Sequence, residues 1–317
     1  MILVNHTTAS GPTLPPKVGF IGIGAQKSAT SWLHAVLSEH PSICPGREKE
    51  LNFFTANFDR GYLWYEGCFP DFQPRQLKGE CSPTYFFNSD APYRAKAYNP
   101  DMRIIAVLRD PVARAFSNHL HEIRKRHIPE ETSFDDALAT NPAYVLQSRY
   151  KENLCRWVDA FGREAVLVLF AEDIANNPLS AYRQVCEHLG IGAEPVPVGL
   201  SKRRHESVAR RSRRLEQFLR GGGDLMRKIG LRKLVEAVKS APPVRTLLRL
   251  NDKDLRLEVP PMAPETRMRL ALLFKEDMAY VAELTGRQNL PWPSWQALAT
   301  SATGKTHSTP EAHAHAS

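Results

Sequence analysis

The stretch KVGFIGIGAQKSATSWLHAVL, residues 17–37, decides the fold of this chain. Its first part, 17–24, is a short apolar, partly β-branched run of the kind that forms a buried strand. The stretch 31–37 has apolar residues at helical spacing, and a loop of small residues with one lysine joins the two parts. A buried strand that leads directly into a helix predicts the first unit of a parallel α/β sheet.

The same alternation recurs further along the chain. Apolar strands are predicted at 102–108 and 165–170, and helical spacing follows each of them at 113–123 and 179–189. A partly strand-like stretch is predicted at 79–87 and a further helix at 148–161. One continuous C-terminal helix is predicted at 263–286, ending at Gly286. Short apolar strands that alternate with helices are typical of a parallel sheet covered on both faces, so we expect a three-layer α/β fold.

The loop after the first strand has the composition of an anion-binding site. Backbone N–H groups at a helix N-terminus point toward a bound anion, and the helix dipole favours negative charge there. Lys27 adds a positive charge, and Ser28, Thr30 and Ser31 add hydroxyl donors. The loop is similar to a nucleotide-phosphate loop but departs from the Walker pattern, because Gln26 replaces the glycine before the lysine. An ordinary strand-to-helix turn with a surface lysine is the alternative interpretation.

A second basic residue follows the strand 102–108. Arg109 comes directly after this strand, and Ser117 lies eight residues later in the next helix. Because ligands of parallel sheets bind at the carboxyl ends of the strands, we expect Arg109 at the same edge as Lys27. An arginine fork there suits a phosphate group, although an ion pair with Asp110 would also explain it.

These two motifs resemble those of the sulfotransferases that use 3′-phosphoadenosine-5′-phosphosulfate (PAPS). The loop 26–32 resembles their 5′-phosphosulfate motif, with Ala29 in the usual glycine position, and 109–117 resembles their 3′-phosphate motif. The resemblance extends over about 17–296 and implies a P-loop-like fold, with PAP as product and no metal. The cofactor-binding residues that it implies are Gln26, Lys27, Ser28, Ala29, Thr30, Ser31, Trp32, Arg109 and Ser117. Trp32 is expected either to contact the adenine or to pack behind the loop.

The implied reaction is transfer of the sulfuryl group to a hydroxyl, less readily an amine, of a carbohydrate, lipid or natural product. The segment EKELNFF, 48–54, resembles the E-x-H-F-F element of heparan-type glucosaminyl sulfotransferases, which implies Glu50 as the catalytic base. Lys27 would stabilise the leaving oxygen, and Lys49 would orient the sulfonate or the acceptor. The chain departs from the pattern at Asn52, where the family has histidine, and at Cys81, where a lysine is frequent.

Other candidates for the base remain open. His119 and His121 follow Ser117 on one predicted helix, and sulfotransferases of small molecules use a histidine base. Two residues apart on a helix, the two histidines face different directions, so at most one of them enters a cleft. The alternative role of Glu50 is a surface ion pair with Lys49 or Arg47.

The basic charge of the chain is concentrated in one segment. The chain has 42 Lys and Arg residues against 34 Asp and Glu, and 201–256 contains 17 of the former and 6 of the latter. Within this segment, Lys202 and Arg203 are expected to close over PAPS, and long-range attraction would favour an anionic cofactor. The stretch 225–238 is amphipathic, which predicts either a cap packed on the domain or a helix on anionic lipid.

The composition limits the possible classes of protein. A hydrophobic content of 42% provides a core, and we expect a flexible arm at 1–16, one domain at 17–299 and a disordered tail at 300–317. The five dispersed cysteines and the lack of a signal peptide or a long apolar run predict a cytoplasmic protein. The competing functions are an ATP-dependent P-loop phosphotransferase and a non-enzymatic protein that binds polyanions or membranes. We expect a small-molecule or glycan acceptor and no nucleic-acid partner.

Overall fold

The computed structural model describes residues 16–201, 208–210, 252–254 and 259–303. The predicted roles of Lys202, Arg203 and the amphipathic stretch 225–238 therefore lie outside the described residues, as does most of the predicted arm. The chain forms two compact units. The first contains the residues up to Leu108 together with Glu152–Lys202, and the second contains the rest. The division falls inside the region predicted to be one domain.

The first unit is built on a five-stranded sheet in which every neighbouring pair of strands is parallel. The strand order is β2-β3-β1-β4-β5. In chain order the strands are β1 Phe20–Gly24, β2 Ile43–Pro45, β3 Leu77–Cys81, β4 Arg103–Leu108 and β5 Val166–Phe170. The prediction of an α/β fold around a central parallel sheet is confirmed.

Helices occupy most of the chain between the strands. In the described ranges they are α1 Thr30–Ser38, α2 Gly61–Glu66, α3 Ala91–Tyr98, α4 Pro111–Lys125, α5 Phe134–Thr140, α6 Ala143–Leu146, α7 Tyr150–Phe161, α8 Ala171–Asn176, α9 Pro178–Leu189, α10 Pro264–Leu273, α11 Lys275–Thr285 and α12 Pro293–Thr303. None of these helices is long and apolar enough to cross a membrane. Short 3₁₀ turns lie at Phe58–Arg60, Pro83–Tyr85 and Arg163–Ala165.

The core of the first unit lies on both faces of the sheet. Ile105 and Val107 of β4 join a cluster with residues of α1 and α9, whereas Ile104 and Ala106, which alternate with them along the strand, point to the opposite face. All four side chains are fully buried. The apolar residues of α1 in this cluster are Trp32, Leu33, Val36 and Leu37. The spacing of this set places it on one stripe of the helix, as the sequence predicts.

The second unit is organised around the start of α4. The carboxylate of Asp110 accepts hydrogen bonds from the backbone N–H groups of Val112 (2.9 Å) and Ala113 (3.1 Å), so it caps the helix. The same carboxylate accepts hydrogen bonds from the backbone N–H and the hydroxyl of Ser294 at 2.8 and 2.9 Å, which ties the start of α12 to the start of α4. This unit also contains a two-stranded antiparallel pair, β6 Val208–Arg210 and β7 Asp252–Asp254.

Two predictions about the C-terminal region were wrong. The expected single helix is broken into α10 and α11 at Phe274, whose ring is fully buried. Apolar residues continue at helical spacing through the break, so periodicity does not reveal it. In addition, α12 continues to Thr303, so residues 300–303 belong to a helix instead of a tail. The predicted C-cap at Gly286 is confirmed, with a φ of 66°.

Gly79 provides a test of the packing between β1 and β3. Phe20 lies opposite Gly79 on the neighbouring strand, and a Cβ at position 79 would lie 2.0 Å from the Phe20 ring. We therefore expect Gly79→Ala to lower the free energy of unfolding by about 1–3 kcal/mol, because a buried ring cannot yield without strain. Chemical denaturation measures this loss. Gly192→Ala is the control, since no atom lies within 4 Å of its added Cβ. Equal stability of the two variants would contradict the packing argument.

Candidate active site

The loop between β1 and α1 has an unusual backbone. Gly24 adopts a φ of 131°, and a Cβ there would lie 2.8 Å from the carbonyl oxygen of Pro83. Lys27 and Ala29 are also in the left-handed region, with φ values of 70° and 63°. Such conformations cost non-glycine residues about 1–2 kcal/mol each, and they occur most often at functional sites. The loop is therefore held in a defined and costly conformation.

The start of α1 has donors for an anionic group. The helix has no side-chain cap and no acidic residue in its first turn. The hydroxyl of Ser28 is fully buried and has no hydrogen-bond partner among the described residues. Thr30 is also buried, whereas Gln26, Lys27 and Ala29 are half-buried. A buried hydroxyl without a partner is costly, and a phosphate or sulfonate oxygen would satisfy it.

Lys49 and Glu50 lie beside this loop. The ammonium of Lys49 donates a hydrogen bond to the hydroxyl of Ser31 at 3.0 Å and another to Oε1 of Glu50 at 2.7 Å. The Glu50 side chain is 44% exposed, so its carboxylate is open to solvent. The structure thus brings together three predicted site residues. It also shows the Lys49–Glu50 ion pair that the sequence offered as an alternative.

Hydrogen bonds connect the turn that carries Glu50 to the segment after β3. Glu50 and Asn52 have φ values of 65° and 50°, both left-handed. The backbone N–H of Asn52 donates to the hydroxyl of Ser82 at 2.9 Å, and that of Phe53 donates to the hydroxyl of Tyr85 at 2.7 Å. The sequence analysis assigned no role to Ser82 and Tyr85. The only indication was that both lie within the range 17–296 over which the chain resembles the sulfotransferases.

A buried carboxyl group accepts a hydrogen bond from Ser82. Ser82 donates its hydroxyl proton to Oε2 of Glu80 at 2.7 Å, while its oxygen accepts from Asn52. Glu80 is almost fully buried, and this burial raises the pKa of its carboxyl to about 7, with a further contribution from the negative charge of Glu50. The hydroxyl of Ser82 is therefore oriented by two partners. This chain of contacts fixes the turn before Glu50.

Cys81 occupies the position where a lysine is frequent in the resembling enzymes. Its thiol is buried, and burial raises its pKa, whereas the positive charge of Lys49 acts in the opposite direction. The backbone N–H of Glu50 donates to the carbonyl oxygen of Cys81 at 3.1 Å, so Lys49, the residue before Glu50, lies near this position. Residue 81 is cysteine where a lysine is frequent, but Lys49 provides a positive charge in this part of the first unit.

The second unit contains a pocket of about 200 Å³. Arg109 and Ser117 both line it, so the structure brings together the two residues of the predicted 3′-phosphate motif. The other residues of the lining are Ala113, Phe116, Leu120, Met262 and Arg267. The hydroxyl of Tyr150 donates to the carbonyl oxygen of Arg109 at 2.8 Å, which fixes the backbone at the rim. Tyr150 is itself fully buried.

Comparison with known proteins agrees with this geometry. The family model for the sulfotransferase domain matches residues 20–213, which is more than half of the chain. The chain belongs to the sulfotransferase family. A solved sulfotransferase from Alicyclobacillus acidocaldarius has 25% sequence identity and a TM-score of 0.54, and the match covers 70% of this chain and 97% of that structure. The predicted P-loop-like fold is thereby confirmed.

The curated relatives act in glycan sulfation according to their names. Mouse heparan sulfate glucosamine 3-O-sulfotransferase 3B1 is 31% identical over 182 residues, covering 53% of this chain and 45% of that enzyme. Mouse heparan sulfate glucosamine 3-O-sulfotransferase 6 is 30% identical over 192 residues, covering 58% and 55%. The chain thus spans about half the length of these relatives.

The histidine alternative for the base of this sulfotransferase is not supported by the structure. His119 is fully buried among the rings of Phe116, Phe134 and Tyr144, and burial lowers its pKa. A side chain without exposed surface cannot reach an acceptor hydroxyl, so His119 does not fit the role of catalytic base. His121 lies 2.8 Å from the guanidinium of Arg124, measured from its Nδ1.

The sequence predicts two alternative roles for Trp32, contact with the adenine and packing behind the loop. The structure shows the packing role. Its ring is 7% exposed, and its indole N–H donates to the carbonyl oxygen of Leu200 at 2.9 Å. A ring enclosed in this way offers little surface to a nucleotide. In the part of the chain that the structure describes, no group of three or more His, Cys, Asp or Glu side chains is placed to bind a metal ion.

Glu80→Gln tests the buried carboxyl of the sulfotransferase. A carboxyl that titrates at 4.5 when unfolded and at about 7 when folded binds an extra proton in the folded state between these pH values. Stability therefore falls as the pH rises through this window, and the glutamine variant lacks that loss. Relative to the wild type, we expect its free energy of unfolding to rise by on the order of 3 kcal/mol across the window.

Denaturant titrations at several pH values measure this difference. Glu48→Gln, at an exposed position of the segment 48–54, is the control for the replacement of a glutamate by glutamine. A difference between Glu80→Gln and the wild type that does not change with pH would contradict the raised pKa.

Proposed function

We propose that this sulfotransferase uses PAPS to sulfate a hydroxyl group of a carbohydrate, lipid or natural product. The observation that carries the proposal is the contact of Lys49 with both Ser31 and Glu50. It joins a carboxylate, which is able to accept a proton, to the first turn of a helix suited to an anion. Sulfuryl transfer to a hydroxyl needs these two components side by side.

The residues of the first unit fit a phosphosulfate group. The uncapped start of α1 offers hydrogen-bond donors, as does the hydroxyl of Ser28, which has no partner among the described residues, and Lys27 offers a positive charge. In the second unit, Arg109 and Ser117 fit a second phosphate in their shared pocket. When bound, PAPS supplies the sulfuryl group on its 5′-phosphate.

In this proposal, Glu50 accepts the proton of the acceptor hydroxyl while the acceptor oxygen bonds to sulfur. Lys27 stabilises the negative charge on the 5′-phosphate oxygen as its bond to sulfur breaks. Lys49 orients the Glu50 carboxylate through the 2.7 Å hydrogen bond. The left-handed turn held by Ser82 keeps Glu50 in place, because geometry contributes to proton transfer as much as acidity does.

The acceptor is proposed to differ from heparan sulfate. Asn52 stands where the heparan-type enzymes have histidine, and its side chain is used within the turn. Its amide donates to the carbonyl oxygen of Glu50 at 2.9 Å, and its Oδ1 accepts from Thr84 at 2.7 Å. An amide bound in this way holds the turn and has less capacity for an acceptor. We infer that a hydroxyl of another glycan or of a smaller molecule takes this place.

Binding of PAP, the expected product, tests the donor. A ligand that binds only the folded state stabilises it by about 2.7 kcal/mol at a hundred times its Kd. We expect PAP to raise the Tm in a thermal-shift measurement and ATP with Mg²⁺ to raise it less. A rise with ATP and Mg²⁺ alone would instead indicate a phosphotransferase.

Glu50→Gln tests the base. The amide keeps the shape of the side chain but cannot accept the proton, so we expect kcat to fall by about 10²–10⁴-fold. Calorimetric titration with PAP should show unchanged affinity. Glu48→Gln, two residues away and exposed, is the matched control and should keep kcat within about twofold. Normal turnover by Glu50→Gln would remove Glu50 as the base.

A further inference from the structure

The pocket of the second unit contains a basic residue that the sequence analysis did not assign. Arg267, in the first turn of α10, lines this pocket together with Arg109 and Ser117. Its side chain is exposed, and no described carboxylate forms an ion pair with it. Arg267 is thus available to a ligand that enters the pocket.

A neighbouring arginine on the same helix shows a different arrangement. The guanidinium of Arg269 lies 2.9 Å from Oδ1 of Asp135, so its charge is already paired. Arg269 is not part of the pocket lining. Two arginines separated by two positions on one helix therefore have different surroundings, and only Arg267 has its charge directed to the pocket.

The electrostatics of the pocket favour an anion. The lining has two arginines and no acidic side chain. Arg114 is fully buried on the same helix as Ser117, and among the described residues its guanidinium is bound by neutral oxygens, namely those of Ser148, Gln147 and Tyr144. Burial, with a smaller contribution from the charge of Arg109, lowers the pKa of Arg114 to about 10. Like charges gathered in this way repel one another, and a bound anion relieves that repulsion.

The apolar part of the lining strengthens this effect. Phe116, Leu120 and Met262 contribute walls without hydrogen-bonding groups. Electrostatic attraction is stronger where such walls exclude water. A phosphate has enough oxygens to accept hydrogen bonds from two guanidinium forks and a hydroxyl at once.

We propose that Arg267 binds the same phosphate group as Arg109 and Ser117 and thereby selects nucleotides that carry a 3′-phosphate. The inference rests on the proposed use of PAPS. A basic contribution of this kind was expected from Lys202 and Arg203, which lie outside the described residues. Arg267 provides it from a helix within the second unit.

The test compares two ligands that differ by one phosphate. Calorimetric titrations use PAP and adenosine 5′-monophosphate, which lacks the 3′-phosphate, with the wild type, Arg267→Ala and Arg269→Ala. We expect Arg267→Ala to weaken PAP binding by about 10–100-fold, the usual effect of a lost charged hydrogen bond. Its affinity for the monophosphate should change by less than about twofold, and Arg269→Ala should leave both affinities unchanged.

The outcomes separate the inference from the proposed function. If the wild type binds PAP no more tightly than the monophosphate, the proposed 3′-phosphate site itself is wrong. If the wild type discriminates and Arg267→Ala discriminates equally well, only the role of Arg267 is overturned. Equal weakening of both ligands would also overturn it, because it would indicate a general structural effect. Circular dichroism checks the fold of each variant. Arg267→Gln keeps a longer side chain than Arg267→Ala but has no charge, and it must reproduce the loss of discrimination.

Discussion

The pairing of β1 with β3 is the contact on which the candidate site of the first unit depends. Phe20 packs over Gly79 between these strands, and this close approach is possible only because position 79 has no side chain. The pairing continues past the strand end, where the backbone N–H of Ser82 donates to the carbonyl oxygen of Gly22 at 2.9 Å. The loop after β1 and the segment after β3 therefore start side by side. The turn that carries Glu50 is attached to this junction.

The first unit keeps several costly features near that junction. Lys27, Ala29, Glu50 and Asn52 are non-glycine residues in the left-handed region. Glu80 is a buried carboxyl, and it is an energetic burden at neutral pH because burial disfavours its charged form. Such features persist only where surrounding contacts hold them, and here backbone hydrogen bonds to side-chain hydroxyls do so. Their concentration in two adjoining segments is consistent with a preorganised site.

The sequence predicted the buried strands well and the short or broken elements poorly. β1 and β5 are apolar along their whole length, and so is β4 after Arg103, so their pattern is unambiguous. β2 has only three residues, too few for any periodicity. The break at Phe274 was missed because the apolar spacing of α10 continues into α11.

The chemical groups of the candidate site could be predicted from the sequence. Lys27, Arg109, Ser117 and Glu50 belong to local motifs, whose residue types and spacing can be recognised in the sequence. Which of these groups are exposed, and which residues support them, depends on the packing of the elements. This packing buries His119, and it brings the hydroxyl of Ser82 within hydrogen-bonding distance of the turn that carries Glu50. It also brought Arg267 into the pocket of Arg109. Burial and contacts between residues far apart in the chain depend on how the elements pack, and no local pattern records that packing.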